Sequence, residues 1–410
     1  GGIGSATMYE NAKIGTKKLI TDYVGEVVDA LHHIETLPET EELNHEDKID
    51  FFHRARLCFG RSALMMSGAG SLGHFHHGVG KTLIEQDLLP DVISGSSAGS
   101  VFASLLGTHT TDELLELFET DLFQSPFDEQ PRQQPWGLVR PQVDPDLLKL
   151  MLERFIPDMT FQEAYEKTGR SISVTIAPHE EHQTSRLMNA VTSPNVYIRS
   201  AVMASCAVPG VFPPVMLMAK NVYGEPQPYL PNRRWVDGAV TDDLPAKRLS
   251  RLYAVNHYIV SQANPLSLAM LSTDKLIPLP SGTKSVMRHA TREMLKTSEQ
   301  FSRKYLRQIP SAGQAMSMFY SVMAQDYTGD INIAPSFNFV DPQKLLAQLS
   351  AKEIEELVSE GERSTWPQIE RIRISTKIGR TLDNILDNHT NHNIKKFYKK
   401  RTRSTKQANT

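Results

Sequence analysis

The sequence predicts an α/β protein: a three-layer α/β/α fold with a mainly parallel central sheet, preceded by a helical N-terminal region and followed by C-terminal helices. Three observations carry this expectation. Short apolar runs alternate with helix-like stretches from Ser62 onward, small-residue turns close the first two runs, and charged helix-forming composition fills both ends of the chain. Strand, helix, strand, helix in that order is the pattern of a parallel sheet covered on both faces.

Residues 8–60 are rich in helix formers, with Leu19, Ile20, Tyr23, Val24, Val27 and Val28 at helical spacing, so two or three helices fit there. Ala63-Leu64-Met65-Met66 is a short buried-strand candidate ending in glycines, and a helix-like stretch follows from Phe75 to Asp87. A second strand, Val92-Ile93-Ser94, a tight small-residue turn and a helix through Val101-Phe102 and Leu105-Leu106 come next. Residues 124–146 are rich in Pro, Gln and Asp and read as a surface excursion. Strand texture returns at Ile172–Ala177, Leu187–Val191, Tyr253–Ser261 and Ile331–Ile333, and from Asp341 the chain is helical and charged. The expected organisation is a helical region over 1–60, an α/β domain over 61–340, a helical extension over 341–394 and a basic, flexible tail over 395–410.

The chain has 410 residues, 40% hydrophobic, and a formal net charge of −3. That balance argues against a nucleic-acid binder, which would carry a strongly basic domain. The basic cluster Lys395, Lys396, Lys399, Lys400, Arg401, Arg403 and Lys406 has two readings: a solvated tail, or contact with anionic lipid head groups worth about 1 kcal/mol per residue. Two cysteines, Cys58 and Cys206, in no metal-ligand spacing favour a reducing compartment over a disulfide framework. No run of roughly 18 apolar residues reads as a membrane span. The Gly1-Gly2 start is read as a processing scar, which leaves a native upstream signal open.

The strongest chemical signal is Gly95-Ser96-Ser97-Ala98-Gly99, a G-x-S-x-G directly after a strand and before a helix. A nucleophile needs its hydroxyl exposed on a sharp turn, and the flanking Gly95 and Gly99 let the backbone make it. The helix that starts there aims its amides and dipole at developing negative charge. Gly68-Ala69-Gly70-Ser71-Leu72-Gly73 follows the first strand. The string fits G-x-G-x-x-G, but the acidic residue a dinucleotide site wants at a second strand end is missing, since Asp91 precedes its strand. A helix cap stays open; an oxyanion hole suits a Gly-rich loop beside a serine elbow better. The third signal is Trp235-Val236-Asp237-Gly238-Ala239, followed by Asp242, Asp243 and Leu244-Pro245. Alone, Asp-Gly is turn chemistry; beside a serine, a partly buried Asp237 carboxylate is a direct general base.

The rival is a Ser-His-Asp triad. Of fourteen histidines, those after Asp237 are His257, His289, His389 and His392, and only His257 sits near strand texture. His74, His76 and His77 lie on the first crossover helix.

These three signals in this order resemble the patatin-like phospholipase family. Ala204-Ser205-Cys206-Ala207-Val208-Pro209-Gly210-Val211-Phe212-Pro213-Pro214 is similar to its A-S-x-A-x-P-x-x-F-x-P segment, and Asp243-Leu244-Pro245-Ala246 to the stretch after its catalytic Asp. The resemblance implies Ser97 as nucleophile, Asp237 as base, and the amides of Gly68, Ala69, Gly70 and Ser71 as oxyanion hole. Phe51–Leu64, Asn256–Pro265 and Tyr327–Ile331 resemble the triacylglycerol-lipase branch, which carries a helical region before the core and makes His257 structural. The chain departs at Ala69 for the middle Gly of G-G-G, at Leu72 for a common Arg or Lys, and at Ala239 for Gly. His45 and Asp50 fit the H-x4-D motif of the lysophospholipid acyltransferases discussed in that branch, but about 0.7 such pairs are expected by chance.

The resulting expectation is a lipid acyl hydrolase of phospholipase A, lysophospholipase or acylglycerol lipase type, acting through a Ser–Asp dyad and an acyl-enzyme. The alternatives are a lysophospholipid acyltransferase using the same acyl-enzyme, and a non-catalytic lipid-surface protein. No cofactor or metal is expected. The expected partner is a phospholipid or acylglycerol at a membrane or lipid surface, with no nucleic acid, and an activating partner or homo-oligomer is left open. The expected location is cytoplasmic, peripherally membrane-associated, without a transmembrane helix.

Overall fold

A computed structural model describes residues 3–41, 43–119, 145–180, 184–209, 212–264, 329–336 and 349–407. The Pro/Gln/Asp-rich excursion lies almost wholly outside the described residues, as do His289 and Tyr327. The chain divides into two compact units, 1–62 with 253–257 and 370–410, and 63–252 with 258–369.

The first unit is built from α1 (Ala6–Asn11), α2 (Ile14–Thr36) and α3 (His45–Phe59), with the final helix described below. Ile20, Val24, Val28 and Leu31 recur every three or four residues, so they share one face of α2 and are buried, while Leu19 and Tyr23 stay on the solvent side. Helix α3 starts at a capping box in which Asn44 and Asp47 satisfy each other's backbone amides.

The second unit holds most of the sheet. Its elements are β1 (Arg61–Met66, whose first two residues fall in the other unit), α4 (His74–Glu85), β2 (Val92–Gly95), α5 (Ala98–Thr108), α6 (Thr111–Glu119), α7 (Pro145–Phe155), α8 (Phe161–Thr168), β3 (Ser171–Pro178), β4 (Arg186–Asn189) and α9 (Ile198–Ser205). A hairpin of β5 (Met218–Lys220) and β6 (Pro226–Pro228) precedes β7 (Trp235–Asp237), α10 (Ala239–Asp242), α11 (Ala246–Tyr253), β8 (Val255–Ser261), β9 (Ile331–Ile333) and α12 (Ala351–Thr365). The last helix, α13 (Ile369–Gln407), contributes Ile374, Ile378, Leu382, Ile385 and Leu386 to the α2–α3 core of the first unit. The basic cluster expected as a flexible tail therefore stands on the continuation of this helix.

Among the described residues the sheet runs β4-β3-β2-β1-β8-β9, with β7 also on β3. Strands β1, β2 and β3 are parallel, as are β8 and β9; β4 and β7 run antiparallel to β3. The residues of β2 and β3 are buried throughout, although Ser171, Ser173 and Thr175 alternate with Ile172, Val174 and Ile176 along β3. Of the described helices, none is long and apolar enough to cross a membrane.

The register places the site. Met66 of β1 is level with Gly95 of β2, and Gly95 with Val174 of β3, so the loops leaving β1 and β2 emerge side by side at the carboxyl edge. Ile176 of β3 pairs with Arg186 of β4 on one side and with Asp237 of β7 on the other. Val174 likewise pairs with Met188 on the β4 side, leaving Gly95 on the side of Asp237. Strands β2 and β7 thus meet end to end along one side of β3, their carboxyl ends facing each other about 7 Å apart in strand rise.

Candidate active site

Ser97 is the N-cap of α5, with φ of 49°, a left-handed value that a non-glycine residue adopts only when its surroundings enforce it. Three contacts do so. The Ser97 amide donates to the Ser205 hydroxyl at 2.8 Å, the Ser97 carbonyl accepts from the Ser100 hydroxyl at 2.6 Å, and the Ser96 amide donates to the Met66 carbonyl at 3.2 Å. The elbow glycines are demanded by close approach. A Cβ on Gly95 would stand 2.2 Å from the Gly99 carbonyl oxygen, and one on Gly99 would stand 2.4 Å from that of Met66.

Asp237 ends β7 and is 3% exposed. Its Oδ1 accepts the Ala239 amide at 2.8 Å, and the Ser97 side chain is the second donor that holds the carboxyl down. Burial pushes the carboxyl up to about 7, against the downward pull of those two donors. A carboxylate whose proton affinity is raised to this range is a stronger base than an exposed one.

The loop after β1 turns into a single 3-10 turn at Gly70–Gly73, with Gly70 at φ 53°. Its first amide is occupied: Gly68 N–H donates to Asp243 Oδ1 at 2.7 Å. Of the four expected oxyanion amides, Gly68 therefore serves the loop itself. Gly68 still abuts Ser97, since a Cβ there would lie 3.3 Å from Ser97 Cβ. Asp243 is fully buried, and its carboxyl is pushed up to about 8, chiefly by burial and further by Asp237.

The described histidines near the site are buried or have partners of their own. Burial pulls His74 and His76 down to about 4 and His77 to about 3, so all three are neutral near pH 7. His76 donates from Nε2 to the Ser67 carbonyl at 2.9 Å and pairs through Nδ1 with the Ser261 hydroxyl at 2.7 Å, bracing β1 against β8. His257 pairs through Nδ1 with Ser62 at 3.0 Å. His45 pairs with Glu39 and Asp50 with Arg54, so the H-x4-D residues each have their own partner. Burial pushes the Cys206 thiol up, which keeps it protonated and inert despite its place near Asp237.

Two residues escaped the sequence reading as site components, Ser205 and Asp243. Both stand in motif segments, yet only the folded backbone reveals that one holds the Ser97 amide and the other the Gly68 amide.

Residues 64–249 match the family model for patatin-like phospholipase, and residues 1–57 match a domain of unknown function (DUF3336). Triacylglycerol lipase SDP1L of Arabidopsis thaliana is 35% identical over 391 residues, covering 90% of this chain and 48% of that protein. A patatin-like phospholipase domain-containing protein of Pyricularia oryzae is 33% identical, covering 93% of this chain and 50% of its own. Triacylglycerol lipase 4 of Saccharomyces cerevisiae is 34% identical, with coverages of 91% and 43%. The chain spans about half the length of the curated relatives it matches. Among solved structures, VipD from Legionella pneumophila aligns with a TM-score of 0.35 and 12% identity over 76% of this chain and 67% of that one, too distant to bear on the site.

Proposed function

Because this chain belongs to the patatin-like phospholipase family through residues 64–249, we propose that Ser97 and Asp237 are the nucleophile and base of a lipid acyl hydrolase. The observation that carries the reading is the placement of a buried carboxyl, lifted to about 7, at the end of β7 that faces the Ser97 elbow along β3. Ser97 Oγ attacks the ester carbonyl carbon while its proton passes to Asp237. The carbonyl oxygen becomes an oxyanion held by amides of the loop after β1, Ala69, Gly70 and Ser71, and by the N-terminus of α5. Collapse of the intermediate expels the alcohol, which takes the proton back from Asp237 and leaves acyl-Ser97. Water then adds to the acyl group, giving its proton to Asp237, and the second collapse returns that proton to Ser97 Oγ and frees the fatty acid.

The substrate proposed is an acylglycerol or phospholipid met at a membrane or lipid surface, in keeping with relatives named triacylglycerol lipases. The test is a panel of triacylglycerol, diacylglycerol, phospholipid and lysophospholipid emulsions, with the purified chain and Ser97→Ala run side by side. Fatty acid release from at least one lipid by the wild type, with a loss of at least about 1,000-fold in Ser97→Ala, supports the reading. Equal release by both overturns it.

A further inference from the structure

Asp243 meets three loops of the site at once. Its Oδ1 accepts the Gly68 amide at 2.7 Å, at the entry to the loop after β1. Its backbone carbonyl accepts the Ser96 hydroxyl at 2.7 Å, one residue before Ser97. The side chain of Asn264, just past β8, also acts on its carboxyl and holds it down. The residue itself follows Asp237 across the short helix α10, so the Gly-rich loop attaches to its side chain and the residue before Ser97 to its backbone, in one fully buried residue. The clearances are narrow: a Cβ on Gly68 would lie 3.0 Å from Ala239 Cβ and 3.3 Å from Ser97 Cβ. A shift of the Gly68 backbone of even half an ångström would move the following amides relative to Ser97.

Burying a carboxyl costs several kcal/mol unless its oxygens are satisfied, so its presence here asks for an explanation. Ion-pair networks supply one elsewhere in the chain, as at Asp383 with Arg61 at 3.2 Å. Asp243 meets backbone and side-chain groups of the loops that surround Ser97.

We propose that Asp243 is a positioning residue for ester cleavage: by accepting the Gly68 amide it locks the Gly-rich loop onto the serine elbow and so sets where the oxyanion amides stand. It touches no reacting atom. Its effect is exerted through the loop, on the step in which negative charge appears on the carbonyl oxygen. This rests on the reading of Ser97 and Asp237 as the hydrolytic pair.

The experiment compares Asp243→Ala and Asp243→Asn with wild type on a soluble short-chain ester. Rates are normalised to the active sites counted by the acyl-enzyme burst, and thermal unfolding is measured alongside. Asparagine keeps an oxygen that can accept the Gly68 amide; alanine does not. The expected result is a fall in kcat of about 100-fold for Asp243→Ala with KM changed less than about threefold, and recovery of most of that loss in Asp243→Asn. Should Asp243→Ala fail to fold, the near-isosteric Asp243→Leu, which fills the space without an acceptor, replaces it. A purely structural role would lower the melting temperature of the acceptor-free variant but leave kcat per counted site at the wild-type value, and that outcome overturns the proposal. Equal loss in the Asn variant and the acceptor-free variant also overturns it, because the acceptor geometry would then be irrelevant. If instead Ser97→Ala keeps wild-type activity, the hydrolytic reading itself has failed, a result distinguishable from either outcome at Asp243.

Discussion

The amide of Ser97 donates to the Ser205 hydroxyl at 2.8 Å, and that hydroxyl donates in turn to the Thr175 carbonyl at 2.8 Å. One buried side chain on α9 therefore ties the strained turn that carries the nucleophile to the interior of β3. A residue at φ 49° returns to an ordinary conformation unless it is held there. Ser205→Ala leaves a buried amide without its acceptor, which costs about 1–3 kcal/mol. The expected outcome is a loss of that size in urea unfolding together with a fall in kcat of about tenfold, because the Ser97 hydroxyl loses its fixed direction toward Asp237. An activity per folded molecule equal to wild type would show that α5 alone sets the elbow.

The pH dependence follows from the environment of Asp237. A general base works only when deprotonated, and burial lifts this carboxyl to about 7. The expected kcat/KM for a neutral ester is therefore flat near pH 8.5 and falls about tenfold per pH unit below about 6.5. A base at the ordinary value of 3.8 would show no such limb above pH 5. Stability moves the opposite way. Asp237 and Asp243 both bind a proton more tightly folded than unfolded, so their contribution is fully present below about pH 3.8 and is lost as pH rises through about 7 and 8. Urea midpoints of the wild type should fall between pH 6 and pH 9 more steeply than those of Asp243→Asn.

The glycines of the elbow are set by contact. Gly99→Ala would place a methyl group 2.4 Å from the Met66 carbonyl oxygen and 2.6 Å from that of Ser67, both backbone atoms of the strand end and loop that flank the nucleophile. Backbone cannot yield as a long side chain does, so the substitution forces α5 away from β1. The expected outcome is a destabilisation of at least about 3 kcal/mol, read as loss of soluble protein or of the unfolding transition. An Ala variant of wild-type stability would mean that the helix moves freely against the strand end.

Ser97, the proposed nucleophile, is the part of this site most legible in the sequence, because its signal is local: a buried strand, two glycines and a helix within one short stretch. The base was harder. Trp235-Val236-Asp237 carries no strand signature of its own and reads as an Asp-Gly turn, whereas its backbone is extended because Ala177 and Ile176 of β3 pair with Val236 and Asp237. That pairing is tertiary, and no window around Asp237 contains its cause. The β5–β6 hairpin was missed for a related reason: β6 is only Pro226–Pro228, fully exposed, so neither apolar alternation nor propensity marks it. Asp243 and Ser205 were visible as letters of a motif, but their partners are backbone amides, which every residue but proline possesses and which leave no trace in composition.

His257 offers the sharpest discrimination between a dyad and a triad. Its Nδ1 is paired with Ser62 at 3.0 Å, while Asp237 ends the strand whose carboxyl end faces the Ser97 elbow along β3. In a triad, a histidine takes the serine proton and the acid only orients it, so removing the imidazole abolishes turnover. In a dyad, the carboxylate takes the proton itself. His257→Ala is therefore expected to keep kcat/KM within about threefold of wild type and to lose about 1 kcal/mol of stability with the Ser62 contact. Asp237→Asn, which preserves shape but accepts no proton near neutral pH, is expected to lose at least about 1,000-fold in kcat. Burst kinetics on an activated ester should show that Asp237→Asn fails in formation of the acyl-enzyme itself, since the first proton transfer already depends on Asp237. A His257→Ala variant as inactive as Asp237→Asn, with an unchanged unfolding midpoint, would instead place the imidazole in the proton path.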